Sequence, residues 1–211
     1  MKINEIFYSL QGEGTLAGLP TVFVRTTGCN LRCSYCDTTY AYQEGREMSP
    51  AAIAAHTGRW PCPRVCLTGG EPLLQEDVGE VLDLLMEAGR EVSVETNGSL
   101  DVTPLTERAV IAVMDVKCPS SGMHGQMRRE NLPLLRPSDC LKFVIACRED
   151  YEYARGVLER HAPACPVVMQ PVWEQGLPLA REMAAWILRD GLEVRLSLQI
   201  HKLLWGDRKG V

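Results

Sequence analysis

The sequence predicts an α/β protein with a mainly parallel sheet, curved into an open, partial βα barrel. Three observations carry this. Short β-branched runs alternate with amphipathic helical stretches along the chain, the pattern of βα units joined by right-handed crossovers. At 211 residues there is room for about six such units, some abbreviated, whereas a closed eightfold barrel needs about 250 residues. The residues that fit a sheet interior worst cluster at the C-terminal ends of strands, where the active sites of parallel sheets lie. The chain reads as a single domain, 1–211.

The elements follow in order. A first strand covers 3–8, and a second, 22–26, runs into Gly28-Cys29. A third covers 65–68 and ends on Gly69-Gly70-Glu71-Pro72. Val78, Val81, Leu82 and Leu85 fall at helical spacing, and Gly89 supplies the stop. Strand 92–95 runs into Thr96-Asn97-Gly98, and strand 111–116 into Lys117. Strand 141–146 precedes a helix marked by Ala154, Val157, Leu158 and His161. Strand 167–170 precedes one marked by Leu179, Met183, Trp186 and Ile187, stopped by Gly191. A last strand is expected at 194–200, leaving His201-Lys202 at its end. The polar segment 126–137 reads as a lid or a dimer contact, and the tail 204–211 has no assignment.

Composition excludes several classes. With 22 Lys+Arg against 27 Asp+Glu and 45% apolar residues, the chain is an ordinary globular protein. The longest apolar run, 109–114, is far short of a membrane span, and Met1-Lys2-Ile3-Asn4-Glu5 lacks a signal-peptide core. Mild acidity spread along the chain argues against a generic nucleic-acid or anionic-membrane binder. A cytoplasmic location is expected. Nine cysteines are an odd number and too few for a disulfide scaffold. In a reducing compartment, clustered cysteines bind metal or do chemistry. Cys29, Cys33 and Cys36 are tightly clustered and Cys62 and Cys66 form a looser pair. Cys118, Cys140, Cys147 and Cys165 read as small buried hydrophobes.

Three thiolates on one loop suit a [4Fe–4S] cluster whose fourth iron stays open to chelate a cofactor. The alternative is a zinc site that borrows a fourth ligand from Cys62 or Cys66. The spacing CxxxCxxC, with Tyr35 before the last cysteine, resembles the radical S-adenosylmethionine (SAM) superfamily. Gly69-Gly70-Glu71-Pro72 resembles the GGEP motif of that superfamily, whose backbone meets the methionyl amino group. Finer features resemble the 7-carboxy-7-deazaguanine synthase (QueE) family. These are Ser9-Leu10-Gln11-Gly12-Glu13-Gly14, Arg25, Gly28-Cys29-Asn30-Leu31, Cys36-Asp37-Thr38-Thr39-Tyr40-Ala41, Glu95-Thr96-Asn97-Gly98 and Lys117-Cys118-Pro119-Ser120-Ser121-Gly122.

That resemblance implies a homodimeric enzyme of queuosine and deazapurine biosynthesis. It implies conversion of 6-carboxy-5,6,7,8-tetrahydropterin to 7-carboxy-7-deazaguanine with loss of ammonia, using a [4Fe–4S] cluster, SAM, Mg²⁺ and an electron donor such as a flavodoxin. It assigns Cys29, Cys33 and Cys36 to the cluster and Thr38 to Mg²⁺. Tyr35, Cys36, Asp37, Gly70, Asp115, Val116, Lys117 and Gln170, with the rest of 170–173, fall to SAM. Leu10, Gln11, Gly12, Arg25 and Thr68 fall to the pterin.

Each assignment has a plain counterpart. Arg25 leaves an apolar strand beside the cluster loop, so its guanidinium either pairs with a substrate carboxylate or makes a surface ion pair. Gln11-Gly12-Glu13-Gly14 either reads a pterin edge or is a Gly-rich turn. Thr38 and Asp37 are also candidate helix caps, and Thr68 a buried hydroxyl bonded to backbone. Lys117 is expected to point inward. His56, His124 and His161 read as structural or exposed. Two other functions share parts of the pattern: a radical SAM activating enzyme acting on a protein partner, and a non-enzymatic iron–sulfur or zinc protein.

Overall fold

The computed structural model describes residues 1–211. Nine strands form one sheet: β1 (Lys2–Leu10), β2 (Pro20–Thr26), β3 (Arg46–Glu47), β4 (Arg64–Gly69), β5 (Glu91–Thr96), β6 (Ile111–Asp115), β7 (Cys140–Ile145), β8 (Val167–Pro171) and β9 (Arg195–Leu196). Their order is β3-β1-β2-β4-β5-β6-β7-β8-β9. Every neighbouring pair from β2 to β9 is parallel, while β1 runs antiparallel to β2 and β3 antiparallel to β1. β3 and β9 are free edges, so the barrel is open, as expected. Helices α1 (Pro50–Thr57), α2 (Val78–Glu87), α3 (Thr103–Thr106), α4 (Arg148–His161), α5 (Gly176–Asp190) and α6 (Ile200–Trp205) complete the fold. No helix is long and apolar enough to cross a membrane.

Alternation along the parallel strands separates two environments. Val22 and Val24 of β2, Val65 and Leu67 of β4, Val92 and Val94 of β5, Ala112 and Met114 of β6, and Leu141, Phe143 and Ile145 of β7 are buried toward the helices. Their alternates Phe23 and Arg25, Thr68, Glu95, Val113 and Asp115, and Lys142 and Val144 line a pocket on the other face. Val81, Leu82 and Leu85 of α2, Tyr151, Ala154 and Val157 of α4, and Leu179, Met183 and Ile187 of α5 close the core. Gly89 and Gly191 follow the helix ends with φ of 72° and 62°, the left-handed stop that glycine favours.

Three segments differ from the sequence reading. The expected strand 194–200 pairs only through Arg195 and Leu196. Ser197 N–H makes a last bond to Met169 C=O, and Ile200 N–H is then captured by Gly12 C=O at 3.0 Å. The alternation of 194–200 is real, but the chain sits at a sheet edge, where another contact outcompetes the ladder. His201 and Lys202 therefore open α6 instead of ending a strand. Helix α1 was not foreseen because its run of alanines carries little apolar contrast; Ser49 caps it by accepting from Ala52 N–H at 3.3 Å. The polar segment after residue 122 forms two short 3₁₀ turns, His124–Gln126 and Arg129–Leu134. Fully buried Asn131 fastens the second by donating to Gly98 and Leu100 carbonyls and accepting from Val102 N–H.

Asp139 holds the approach to the β6–β7 pair. It is fully buried and accepts from Ala112 N–H at 2.8 Å, Arg136 N–H at 2.7 Å and the Arg136 guanidinium at 2.8–3.0 Å. Burial alone pushes its pKa up, but the Arg136 and Ala112 bonds outweigh that and hold the carboxyl below its usual range. Its contribution is therefore present above the unfolded-state value and is lost as pH falls through the lowered folded value. Asp139→Ala should lower unfolding free energy at neutral pH by about 1–3 kcal/mol, the cost of leaving the Ala112 and Arg136 N–H donors without their acceptor. Urea titration should show the gap to wild type shrinking below about pH 4.

Candidate active site

The pocket sits at the C-terminal ends of the parallel strands. The backbone of two loops forms its first wall. Glu71 N–H donates to Gly28 C=O at 2.7 Å, and a Cβ added to Gly70 would lie 1.8 Å from that oxygen. Only glycine lets the turn after β4 close on the cysteine loop. Glu71 is fully buried and accepts from Leu73 N–H at 3.0 Å, Thr96 Oγ1 at 2.8 Å and Asn97 N–H at 2.6 Å. Burial raises its carboxyl above the ordinary value, with these three bonds opposing. Asn97 Nδ2 in turn faces Asn30 Oδ1 at 3.1 Å and Cys29 Sγ at 3.7 Å. The GGEP turn, the end of β5 and the cysteine loop are thus one interlocked unit.

Cys29, Cys33 and Cys36 are half-buried free thiols that all line the pocket. Leu31 N–H and Asn97 Nδ2 are donors aimed at Cys29 sulfur, as a thiolate requires. No three His, Cys, Asp or Glu side chains converge tightly enough to ligate a single ion. Three thiols gathered at one pocket, one of them already faced by N–H donors, fit the three-cysteine ligation of a cluster with one open iron. Cys62 takes no part: it is buried with Sγ 3.1 Å from Pro20 C=O, at the far end of β2. Cys66 is buried beneath the floor, and burial pushes its thiol well above the ordinary range.

The structure brings almost all of the expected residues together. Leu10, Gln11, Gly12, Arg25, Tyr35, Asp37, Thr38, Thr68, Gly70, Asp115, Lys117 and Gln170 all line the same pocket as the cysteines. Val116 is the exception. It is buried in the core on the opposite face of its segment, between the inward Asp115 and Lys117.

Arg25 makes an ion pair, but at the pocket and largely out of water instead of on the surface. Glu5 engages its Nε at 2.8 Å, Tyr40 hydroxyl donates to the same carboxylate oxygen at 3.0 Å, and the Phe7 and Tyr40 rings flank the guanidinium. The terminal nitrogens are left for a ligand at the pocket wall. Thr68 hydroxyl bonds a side chain and not backbone, donating to Glu95 Oε2 at 2.7 Å, while Gln11 Nε2 donates to Glu95 Oε1 at 3.3 Å. Thr38 precedes the 3₁₀ turn Thr39–Tyr42 but makes no capping bond with its side chain. Its hydroxyl donates to Asp37 Oδ1 at 2.8 Å, which leaves its lone pairs available.

Glu13, from the run read against a pterin edge, and four residues that sequence reasoning left without a role complete the site. Glu13 accepts from Lys142 Nζ at 2.9 Å, Gln170 Nε2 at 3.0 Å and Gln199 Nε2 at 2.6 Å. Lys142 also lies 3.6 Å from Asp115, which pairs with Lys117 at 2.8 Å. His201 packs on Gly12 so closely that a Cβ there would meet Nδ1 at 1.8 Å. Glu95 bridges Thr68 and Gln11, as above. Lys142 and Glu95 carry a readable signal, a lone charge at an alternate position within an apolar strand. Gln199 and His201 carried none, because the segment read as a strand. Lys202 bridges Asp37 at 3.4 Å and faces the Trp173 ring, so α6 lies across the pocket mouth. His56 stacks near Trp60 and His124 edge-on to Tyr153, both away from the pocket.

Comparison with known proteins agrees with this geometry. Residues 23–119 match the radical SAM superfamily. The chain is 40% identical to a 7-carboxy-7-deazaguanine synthase of Koribacter versatilis over the full length of both. It is 42% identical to that of Methanospirillum hungatei, covering 97% of this chain and 85% of the relative, and 41% identical to that of Chlorobaculum tepidum, covering 100% and 97%. Among solved structures, QueE from Escherichia coli superposes with a TM-score of 0.80 at 23% identity, covering 95% of this chain and 94% of that one, which supports the fold. Superfamily membership implies a [4Fe–4S] cluster and SAM as cofactors, and the name shared by the relatives implies an enzyme that acts on a small molecule. The chain belongs to the 7-carboxy-7-deazaguanine synthase family of radical SAM enzymes.

Proposed function

We propose that the protein contracts the ring of 6-carboxy-5,6,7,8-tetrahydropterin to 7-carboxy-7-deazaguanine, with loss of ammonia and dependence on Mg²⁺. One observation carries this: a single pocket is lined by the three cysteines, Gly69 and Gly70 of the GGEP turn, and Gln11, Glu13, Arg25, Thr68 and Glu95. Cys29, Cys33 and Cys36 would hold the cluster, and the Tyr35–Asp37 stretch, Gly70, Asp115, Lys117 and residues 170–173 would hold SAM. When bound, these two cofactors supply a carbon-centred radical able to abstract hydrogen from the substrate.

The rest is positioning and exclusion of water. The terminal nitrogens of Arg25 face where a substrate carboxylate would lie, in an apolar and aromatic surround that strengthens the pairing. Glu13 is a carboxylate acceptor for the amino and ring N–H groups of a pterin, and Gln11 adds amide contacts. The Thr38 hydroxyl would ligate Mg²⁺ together with substrate oxygens and water, because one hydroxyl alone is a poor magnesium site. Gln199 and His201 close the pocket from the C-terminal side. The same resemblance supports a homodimer in the cytoplasm, reduced by a donor such as a flavodoxin.

The first test is anaerobic turnover of the tetrahydropterin with reductant, SAM and Mg²⁺. Formation of 7-carboxy-7-deazaguanine is expected, and no product from fully loaded protein would refute the assignment. Arg25→Gln removes a charge-assisted contact worth about 1.5–3 kcal/mol, so kcat/KM should fall roughly ten- to a hundredfold.

Thr38→Ala deletes one oxygen ligand and leaves the waters and substrate oxygens in place. Turnover should fall on the order of tenfold to a hundredfold, with a weaker response to Mg²⁺. Iron content should be unchanged. An identical Mg²⁺ titration in wild type and variant would remove Thr38 from the metal site.

A further inference from the structure

Glu13 lies just before the short 3₁₀ turn Gly14–Leu16, outside every strand, and makes no capping bond with its side chain. Its carboxylate is located entirely by groups from elsewhere in the fold: Lys142 from β7, Gln170 from β8, and Gln199 and His201 from the C-terminal segment. Of these, Lys142 is the one cation bonded to it. Lys142 rises from the middle of Leu141-Lys142-Phe143-Val144-Ile145, with its side chain only 10% exposed, and faces Asp115 from β6 and Glu95 from β5 as well as Glu13. Lys117 stands beyond Asp115. Two acidic groups therefore share one buried ammonium: Glu13, read above with the pterin contacts, and Asp115, read above with the SAM contacts.

We propose that Lys142 is a positioning residue that keeps Glu13 ionised and aimed across the pocket, so that Glu13 can accept the N–H donors of the substrate. The proposal rests on the substrate reading given above. Burial alone pushes the Glu13 carboxyl up; Lys142, followed by Gln199 and His201, reverses this and brings it down to about 2. Lys142 itself is held well above the ordinary lysine value, against its own burial, by Glu13, Asp115 and Glu95. The pair thus stays charged across the physiological range. Without the ammonium, desolvation is opposed only by the two amides and a histidine, and the carboxyl takes up a proton as pH falls. A protonated Glu13 presents one donor where the substrate also presents donors, and binding weakens.

The test compares the holoenzymes of wild type, Lys142→Met and Lys142→Arg. In wild type, KM for 6-carboxy-5,6,7,8-tetrahydropterin should stay within about twofold between about pH 6 and pH 8, because Glu13 does not titrate there. In Lys142→Met it should rise about tenfold toward the acid end, one decade for each pH unit spent below the new value. Turnover at saturating substrate should change less than KM. Lys142→Arg should restore the flat profile, since guanidinium also keeps the pair. Lys142→Gln, which keeps a donor but no charge, should behave like the methionine variant and replaces it should that variant fail to fold.

A second measurement needs no substrate. In protein carrying [δ-¹³C]glutamate, the Glu13 signal is identified by its loss in Glu13→Gln. It should remain that of a carboxylate in wild type and take up a proton at clearly higher pH in Lys142→Met. A pH-independent KM in Lys142→Met, or a Glu13 signal that takes up its proton no higher there than in wild type, overturns the proposal. A wild-type enzyme with no turnover of the pterin overturns the substrate reading instead, and the carboxylate titration then decides the role of Lys142 on its own.

Discussion

A strand in this sheet has one apolar side and one side that must carry charge, and everything at the site follows from that division. The helix-facing positions of β2 and β4–β7 are filled by valine, leucine, isoleucine, methionine, alanine and phenylalanine. That leaves the opposite positions free to hold Arg25, Thr68, Glu95, Asp115 and Lys142 along the pocket lining, with Thr68, Asp115 and Lys142 buried. Charges so placed have little solvent to neutralise them, so they neutralise one another: Arg25 with Glu5, Lys117 with Asp115, Lys142 with Glu13 and Asp115. An ion pair buried in this way is weak evidence for stability. Its value here is geometric, since each pair fixes the direction of a group that faces the ligand space.

The second organising feature is backbone contact. Gly28 and Gly70 touch, Glu71 N–H bonds Gly28 C=O, and the buried Glu71 carboxylate gathers Leu73, Thr96 and Asn97 around it. Three loops from the ends of β2, β4 and β5 are held by bonds that leave little slack. The cysteine triad is therefore presented by a braced frame, although its own segment contains only a 3₁₀ turn, Thr39–Tyr42. Rigidity at such a site comes from the loops that support the ligands, more than from the element that bears them.

Much of this was legible in the sequence. The alternation of β-branched runs with helical periods gave the parallel sheet, and the odd residues at strand ends marked the pocket. Val116 shows the limit of assigning a stretch without applying strand alternation: Asp115 and Lys117 turn inward, and Val116 between them packs in the core. Lys142 and Glu95 obey the same alternation and were available to it. Gln199 and His201 were not, because 194–200 alternates as well as any true strand, and only the contact with Gly12 decides that the chain leaves the sheet. Long-range competition of that kind has no local signature. Helix α1 was missed for the opposite reason, a local composition so uniform that it has no period to read.

The bond from Gln199 to Glu13 spans 186 residues, and this has a consequence for how the protein comes into being. During synthesis the glycine-rich turn and the cysteine loop are made well before Gln199 and α6, which shelter them. Until α6 docks on Gly12, a nascent chain exposes its thiols and its acidic groups together on an unfinished surface. Closing so long a span costs chain entropy that grows slowly with length, but the search for it is slow, as for other folds rich in distant contacts. The site is thus complete only once a segment made 186 residues after Glu13 has docked on it.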